Sequence, residues 1–250
     1  MLSFLADENF NNDIIRGVVR SDQRAASIES GKIELPICRS VSGGRLSGIL
    51  NDSGKPAVQV WQQQVQSLTR LLDGLAFTHG DGTAVDADAG FAEWVDVTLR
   101  LRDRRQTVYM IGNGASASMA SHFAADLAKN GRLHTQVFSD LSLITAISND
   151  MGYEHVFAEP LRRRGQRGDL LVAISSSGRS PNILAAVDVA DELEMSVVTL
   201  SAKDGLNPLR KRGALNLYVA ATTYGLAETA HAAALHWWMD LIQLQDGDLP

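Results

Sequence analysis

Five short apolar runs, at 107–111, 134–139, 170–174, 195–200 and 214–220, alternate with stretches of helical periodicity near 117–129, 142–148, 154–164 and 180–193. Each run is bounded by turn residues and is too short for a core helix, so each reads as a buried strand. A further helix is expected over about 226–245. Strands separated by helices are joined as parallel neighbours, and right-handed crossovers put the helices on both faces. The alternation therefore predicts an α/β chain with a doubly wound parallel sheet of about five strands.

Upstream, Val58–Phe77 carries a helical stripe through Val60, Trp61, Val65, Leu68, Leu71, Leu72, Leu75 and Ala76, broken by THGDGT at 78–83. Phe91–Leu101 reads as a second amphipathic helix. Residues 1–55 differ: beyond a short apolar start they are rich in Ser, Gly, Arg and Asp, with SGGRLSG and NDSGKP as linker signals. The expected organisation is an irregular, partly disordered extension over 1–55 and a globular domain over 56–250, which includes an N-terminal helical segment.

Ligands of such sheets sit beyond the carboxyl ends of the strands. Two segments place small residues there: VYMIGNGASAS at Val108–Ser118 and LLVAISSSGRS at Leu170–Ser180. In the second, Ser175, Ser176, Ser177 and Gly178 precede Ser180-Pro181, an N-cap and a first helical residue. Hydroxyls, free N–H groups and a helix dipole then converge on a phosphate. The glycines of Gly112-Asn113-Gly114 let backbone approach the same ligand. GNGAS is not the dinucleotide GxGxxG, and no ribose-binding acid stands out, which argues against a nicotinamide enzyme.

Composition narrows the rest. A formal net charge of -6 argues against a nucleic-acid groove, though not against a local nest of amides for a small anion. Cys38 stands alone, which excludes an internal disulfide or a multi-cysteine zinc site. No apolar run is long enough to span a membrane and the start is acidic where a signal peptide is basic, so a cytoplasmic protein is the default expectation.

For acid–base chemistry, His122 and Asp126 stand i, i+4 on one helix face. Glu228 and His236 share the last helix, about 80° apart around it, with His231 between them. Two histidines and two carboxylates from two helices could bind Zn²⁺ or divide proton transfer between acid and base. His134 and His155 read as structural or solvated.

GNGASAS, SHFAADL, ISNDMGYEHVF, GQRGDLLVAISSSGRSPN and ETAHAAALH, in this order and spacing, resemble the SIS (sugar isomerase) domain, and within it the phosphoheptose isomerase branch. The resemblance covers roughly 57–245. It implies a flavodoxin-like sheet, a homotetramer with sites at subunit interfaces, and conversion of sedoheptulose 7-phosphate to glycero-manno-heptose 7-phosphate. By position, Ser116, Ser175, Ser176, Ser177 and Ser180 would hold the phosphate, and Asn113 and Asp150 would contact sugar hydroxyls. Asp126 falls on the base and His236 on the acid, with Glu228 also at the substrate. His122, Asp126, Glu228 and His236 fall on four positions that bind zinc in some members. Asp126 is one methylene shorter than the family's Glu, and Glu228 replaces its Gln. A non-catalytic sugar-phosphate-binding regulatory protein is the alternative this resemblance leaves open.

The opening FLADENFNNDIIRGV also resembles the start of small PIN-like nucleases. No second acidic cluster follows in a nuclease-like context, and no activity is assigned to it.

Overall fold

The computed structural model describes residues 61–248. The expectations for residues 1–55, including the extension, its boundary and Cys38, lie outside them. Within the described residues, helix α1 (Trp61–Asp73) is followed by strands β1 (Ala76–His79) and β2 (Ala84–Val85) and by α2 (Ala87–Asp103). The alternating part then runs β3 (Thr107–Gly112), α3 (Ala115–Lys129), β4 (His134–Val137), α4 (Leu141–Asp150), α5 (Ala158–Arg164), β5 (Leu170–Ser175), α6 (Pro181–Glu192), β6 (Ser196–Ala202), β7 (Leu215–Val219) and α7 (Tyr224–Asp246).

All five expected strands form, parallel and in the order β4-β3-β5-β6-β7. That is the flavodoxin-like order, and it reverses between β3 and β5, where neighbouring loops diverge and leave a crevice. Every residue of β5 is buried, as a central strand covered on both faces requires. One core joins the sheet to α2, α3 and α7, and a second joins its opposite face to α4, α5 and α6. The winding is double.

Two features depart from expectation. The helical stripe was expected to run through Phe77, but α1 ends at Asp73 and Phe77 lies in β1, buried and paired with Leu217 of β7. THGDGT is the turn of a hairpin: the His79 N–H donates to the Thr83 carbonyl at 2.9 Å, and Gly82 takes a φ of +88°. β1 and β2 thus extend the sheet antiparallel beyond β7. The expected 154–164 helix is also divided, into a 3-10 turn at Tyr153–His155 and α5. Pro160 explains the late start, because proline fits only the first turn of a helix.

Packing fixes α7, which carries half of the candidate chemistry. Buried Trp94 of α2 and Trp238 of α7 stack with centroids 4.2 Å apart. The Trp238 indole N–H donates to Thr98 Oγ1 at 3.2 Å, so the contact is oriented as well as apolar. At the far end Arg102 forks onto Asp246 at 2.6 and 2.8 Å. α7 therefore cannot slide or rotate against α2 without losing both contacts.

Candidate active site

The cradle forms where β5 gives way to α6. Gly178 takes a φ of +61°, and its N–H donates to the Ser175 carbonyl at 2.9 Å. A side chain at Gly178 would collide with the Asn207 amide, which itself holds Ser201 Oγ and the Arg210 N–H. The turn is thus closed by glycine and by a buried asparagine behind it. Ser175 Oγ and Ser180 Oγ lie 3.3 Å apart. Ser180 is the N-cap of α6, yet its hydroxyl makes no capping bond, so it stays available.

Ser176 sharpens the picture. The residue is 6% exposed and its hydroxyl has no partner among the described residues. A buried unpaired hydroxyl costs free energy, and such an orphan is best explained by a ligand or water that completes it.

The loop after β3 approaches from the other side of the switch point. A side chain at Gly112 would meet the Ser116 backbone at 2.5 Å, so only glycine lets the start of α3 fold this close to its strand. Asn113, Ser116, Ser175, Ser176, Ser177, Ser180, Tyr224 and Glu228 together line a cavity of about 200 Å³. Ser116, Ser180 and Tyr224 stand at the N-termini of α3, α6 and α7. Three helix dipoles thus present their positive ends, and among the described residues no Lys or Arg lines the cavity. Nearby, the Lys203 ammonium sits 3.8 Å from the centre of the Tyr224 ring.

The acid–base candidates lie further along α3 and α7. His122 Nε2 and Asp126 Oδ2 are 3.3 Å apart, and the His122 and His236 rings are 5.8 Å apart. The His236 ring packs edge-on against Phe123 of α3 at 4.7 Å. His122, Asp126 and His236 are therefore brought together. Eight residues of α7 separate Glu228 from His236, a rise of about 12 Å. Glu228 accordingly belongs to the cradle and His236 to the second patch.

Asp150 stands apart from the cavity, exposed at the end of α4, where it accepts a hydrogen bond from Asn149 Nδ2 at 2.8 Å. His231 is fully buried, and its Nε2 lies 3.1 Å from the Ser201 carbonyl, which only a protonated nitrogen can satisfy. Burial pushes its pKa down to about 4, so the ring is neutral and anchors α7 to β6.

Among the described residues, no three His, Cys, Asp or Glu side chains gather as a metal site. Of the four expected zinc positions, His122, Asp126 and His236 lie together, and Glu228 stands about two turns of α7 from His236.

Tyr224, Tyr153 and Asn182 enter the site without having been marked from the sequence. Tyr224 had a signal, as the first residue of a helix opening at the carboxyl edge of β7. The other two touch Asn113 and are placed only by the strand order.

Comparison with known proteins agrees with this geometry. Residues 86–202 match the SIS domain family. The chain is 34% identical to the phosphoheptose isomerase of Helicobacter pylori over 60% of its length and 80% of that protein's. It is 31% identical to that of Shewanella sediminis over 70% of its length and 94% of that protein's. The structure of the Neisseria gonorrhoeae phosphoheptose isomerase superposes with a TM-score of 0.61 at 28% identity, covering 73% of this chain and 98% of that one. A cradle at the switch point, an acid–base patch on α3 and α7, and near full-length similarity to these proteins converge on one assignment: the chain belongs to the phosphoheptose isomerase branch of the SIS domain family.

Proposed function

We propose that this protein is an aldose–ketose isomerase that converts sedoheptulose 7-phosphate to glycero-manno-heptose 7-phosphate. The observation that carries the reading is the cavity that joins three helix N-termini, four serines of one turn and the orphan Ser176 hydroxyl, with Asp126 and His236 on the same two helices. The cradle holds the phosphate, so the distant carbonyl end is aligned by binding energy alone.

Asp126 then takes the proton from the carbon beside the carbonyl. His236 donates a proton to the carbonyl oxygen and withdraws one from the neighbouring hydroxyl, which gives an enediol and then the isomeric carbonyl. Asp126 returns its proton to the other carbon, so the reaction is redox-neutral overall.

His236 and the adjacent Trp237 are exposed in the single chain, and α1 buries none of its residues although Trp61, Val65 and Leu72 lie along it. These support a homo-oligomer, a tetramer by family resemblance, in which a second copy covers the reacting end. No described helix is long and apolar enough to cross a membrane, and we place the protein in the cytoplasm with its phosphorylated substrate.

Incubating the purified protein with sedoheptulose 7-phosphate and following the sugar by NMR tests the reading: interconversion is expected. The engagement of Asp126 by His122 favours one competing reading, a sugar-phosphate-binding regulatory protein. Saturable binding with no interconversion, with or without added zinc, would establish that alternative instead.

A further inference from the structure

We infer that Asn182 is a positioning residue: it locks the side-chain amide of Asn113 so that Asn113 can offer the substrate only a hydrogen-bond donor. The inference rests on the isomerase reading and adds to it the polarity of one contact.

Asn182 is the second residue of α6 and is 2% exposed. The backbone N–H of Ile183 donates to its Oδ1 at 3.0 Å. The Ile183 N–H also donates to the Ser180 carbonyl at 3.1 Å. Because a backbone N–H can only donate, an oxygen facing it is favoured over an NH₂ group, which would set two donors against each other; this orients the Asn182 amide. Asn113 Nδ2 donates to the same oxygen at 2.9 Å, and Asn182 Nδ2 donates back to Asn113 Oδ1 at 2.9 Å. Orientation thus passes from the α6 backbone through Asn182 to Asn113.

The Tyr153 hydroxyl donates to Asn113 Oδ1 as well, at 3.2 Å. Both lone pairs of that oxygen are then filled, and one N–H of Asn113 Nδ2 is spoken for. Its second N–H is what remains, on a residue that lines the cavity. A free asparagine can flip to suit either a hydroxyl or a carbonyl. This one is fixed to meet an acceptor oxygen of the sugar phosphate held in that cavity. The reciprocal pair also ties the turn after β3 to the turn after β5, and Tyr153 ties in the segment that follows α4 and Asp150.

The test is a double-mutant cycle on kcat/KM for sedoheptulose 7-phosphate, with wild type, N113A, N182A, the double variant, and Y153F alone and in the N113A background. Loss of one oriented donor predicts about a tenfold to hundredfold drop for N113A. N182A should fall comparably, and the double variant no more than about twofold below either single, since both remove the same contact. Y153F should cost about threefold, and nothing further when Asn113 is already alanine. Losses that multiply across the cycle overturn the proposal, as does N182A activity close to wild type beside an impaired N113A.

N182D guards against misfolding of the alanine variant. It is isosteric and keeps the acceptor for Ile183, but as a carboxylate it cannot donate to Asn113 Oδ1 and sets a second acceptor against it. It should therefore lose at least as much activity as N182A, with a melting temperature lowered by the buried charge but still above the assay temperature. Wild-type-like N182D activity would count against the proposal. If the wild type binds the sugar phosphate without turnover, the isomerase reading fails, while the same cycle run on Kd still decides the role of Asn182. Absence of both binding and turnover removes both.

Discussion

The cradle and the acid–base patch share two helices, α3 and α7, yet they are built on opposite terms. At the cradle the groups are small, buried and largely backbone: Ser116, Ser175 and Ser176 are each under 7% exposed, and three helix N-termini supply the charge. At the patch the groups are long side chains on helix surfaces, with His122 and His236 exposed and Asp126 partly so. Holding a phosphate needs only a fold that aims amides and hydroxyls inward. Moving a proton needs side chains from separate segments at the right separation, and these remain open to solvent until another surface covers them.

The largest effect should therefore come from the patch and leave the cradle untouched. Asp126→Asn keeps size and hydrogen bonding but removes the base, and a positioned base contributes about a hundredfold to ten-thousandfold. Turnover should fall by that amount while the Kd for sedoheptulose 7-phosphate changes little. Calorimetry beside the NMR rate assay separates the two regions. A variant with normal kcat would remove Asp126 from the base role, and one that fails to bind would merge the two regions into one.

α7 belongs to both regions, and buried His231 holds it to the sheet. The folded pKa of about 4 lies below the ordinary 6.5, so between these values the unfolded chain binds a proton that the folded chain refuses. Stability from this group is full above pH 6.5, declines as pH falls, and is fully lost near pH 4. The loss reaches about 3 kcal/mol at its limit. Urea unfolding between pH 7 and 4.5 should show a steeper decline for the wild type than for His231→Gln. Parallel declines would mean that α7 is anchored by Trp238 and Asp246 instead.

How much of this contrast was legible in the sequence follows from its physics. The five parallel strands and the two small-residue turns were readable because each is a local pattern: a short apolar run, then glycine or serine where backbone must approach a ligand. The β1–β2 hairpin was not, because Leu75, Ala76 and Phe77 continue the apolar spacing of α1 while Gly74 quietly ends the helix. Nor was the Asn113–Asn182 pair, whose partners lie 69 residues apart and meet only because β3 and β5 are neighbours. The acid–base candidates could be placed on helix faces by spacing, but their sorting could not: that His236 meets Phe123 and His122 while Glu228 faces the serines depends on how α7 crosses α3.

Within the cradle, Ser176→Ala tests whether the orphan hydroxyl serves a ligand. Removing a buried, unpaired polar group should leave thermal stability equal or slightly raised, since nothing in the protein loses a partner. Affinity should fall by about tenfold, the worth of one hydrogen bond to a charged oxygen. A destabilised variant with normal affinity would show that Ser176 supports the fold and not the substrate.

The smallest expected effect concerns the one residue that blurs the comparison. Glu228 brings a carboxylate into a cavity whose other polar lining is serines, Asn113 and Tyr224. Like charges at short range weaken binding, by an amount that partial solvent exposure and salt both reduce. Glu228→Gln should therefore lower the Kd for inorganic phosphate by about threefold, with the gain shrinking as ionic strength rises. KM for the heptose phosphate should fall in parallel. If KM instead rises while phosphate binding improves, the carboxylate is accepting from sugar hydroxyls, and Glu228 marks the place where the cradle ends and the reacting half of the site begins.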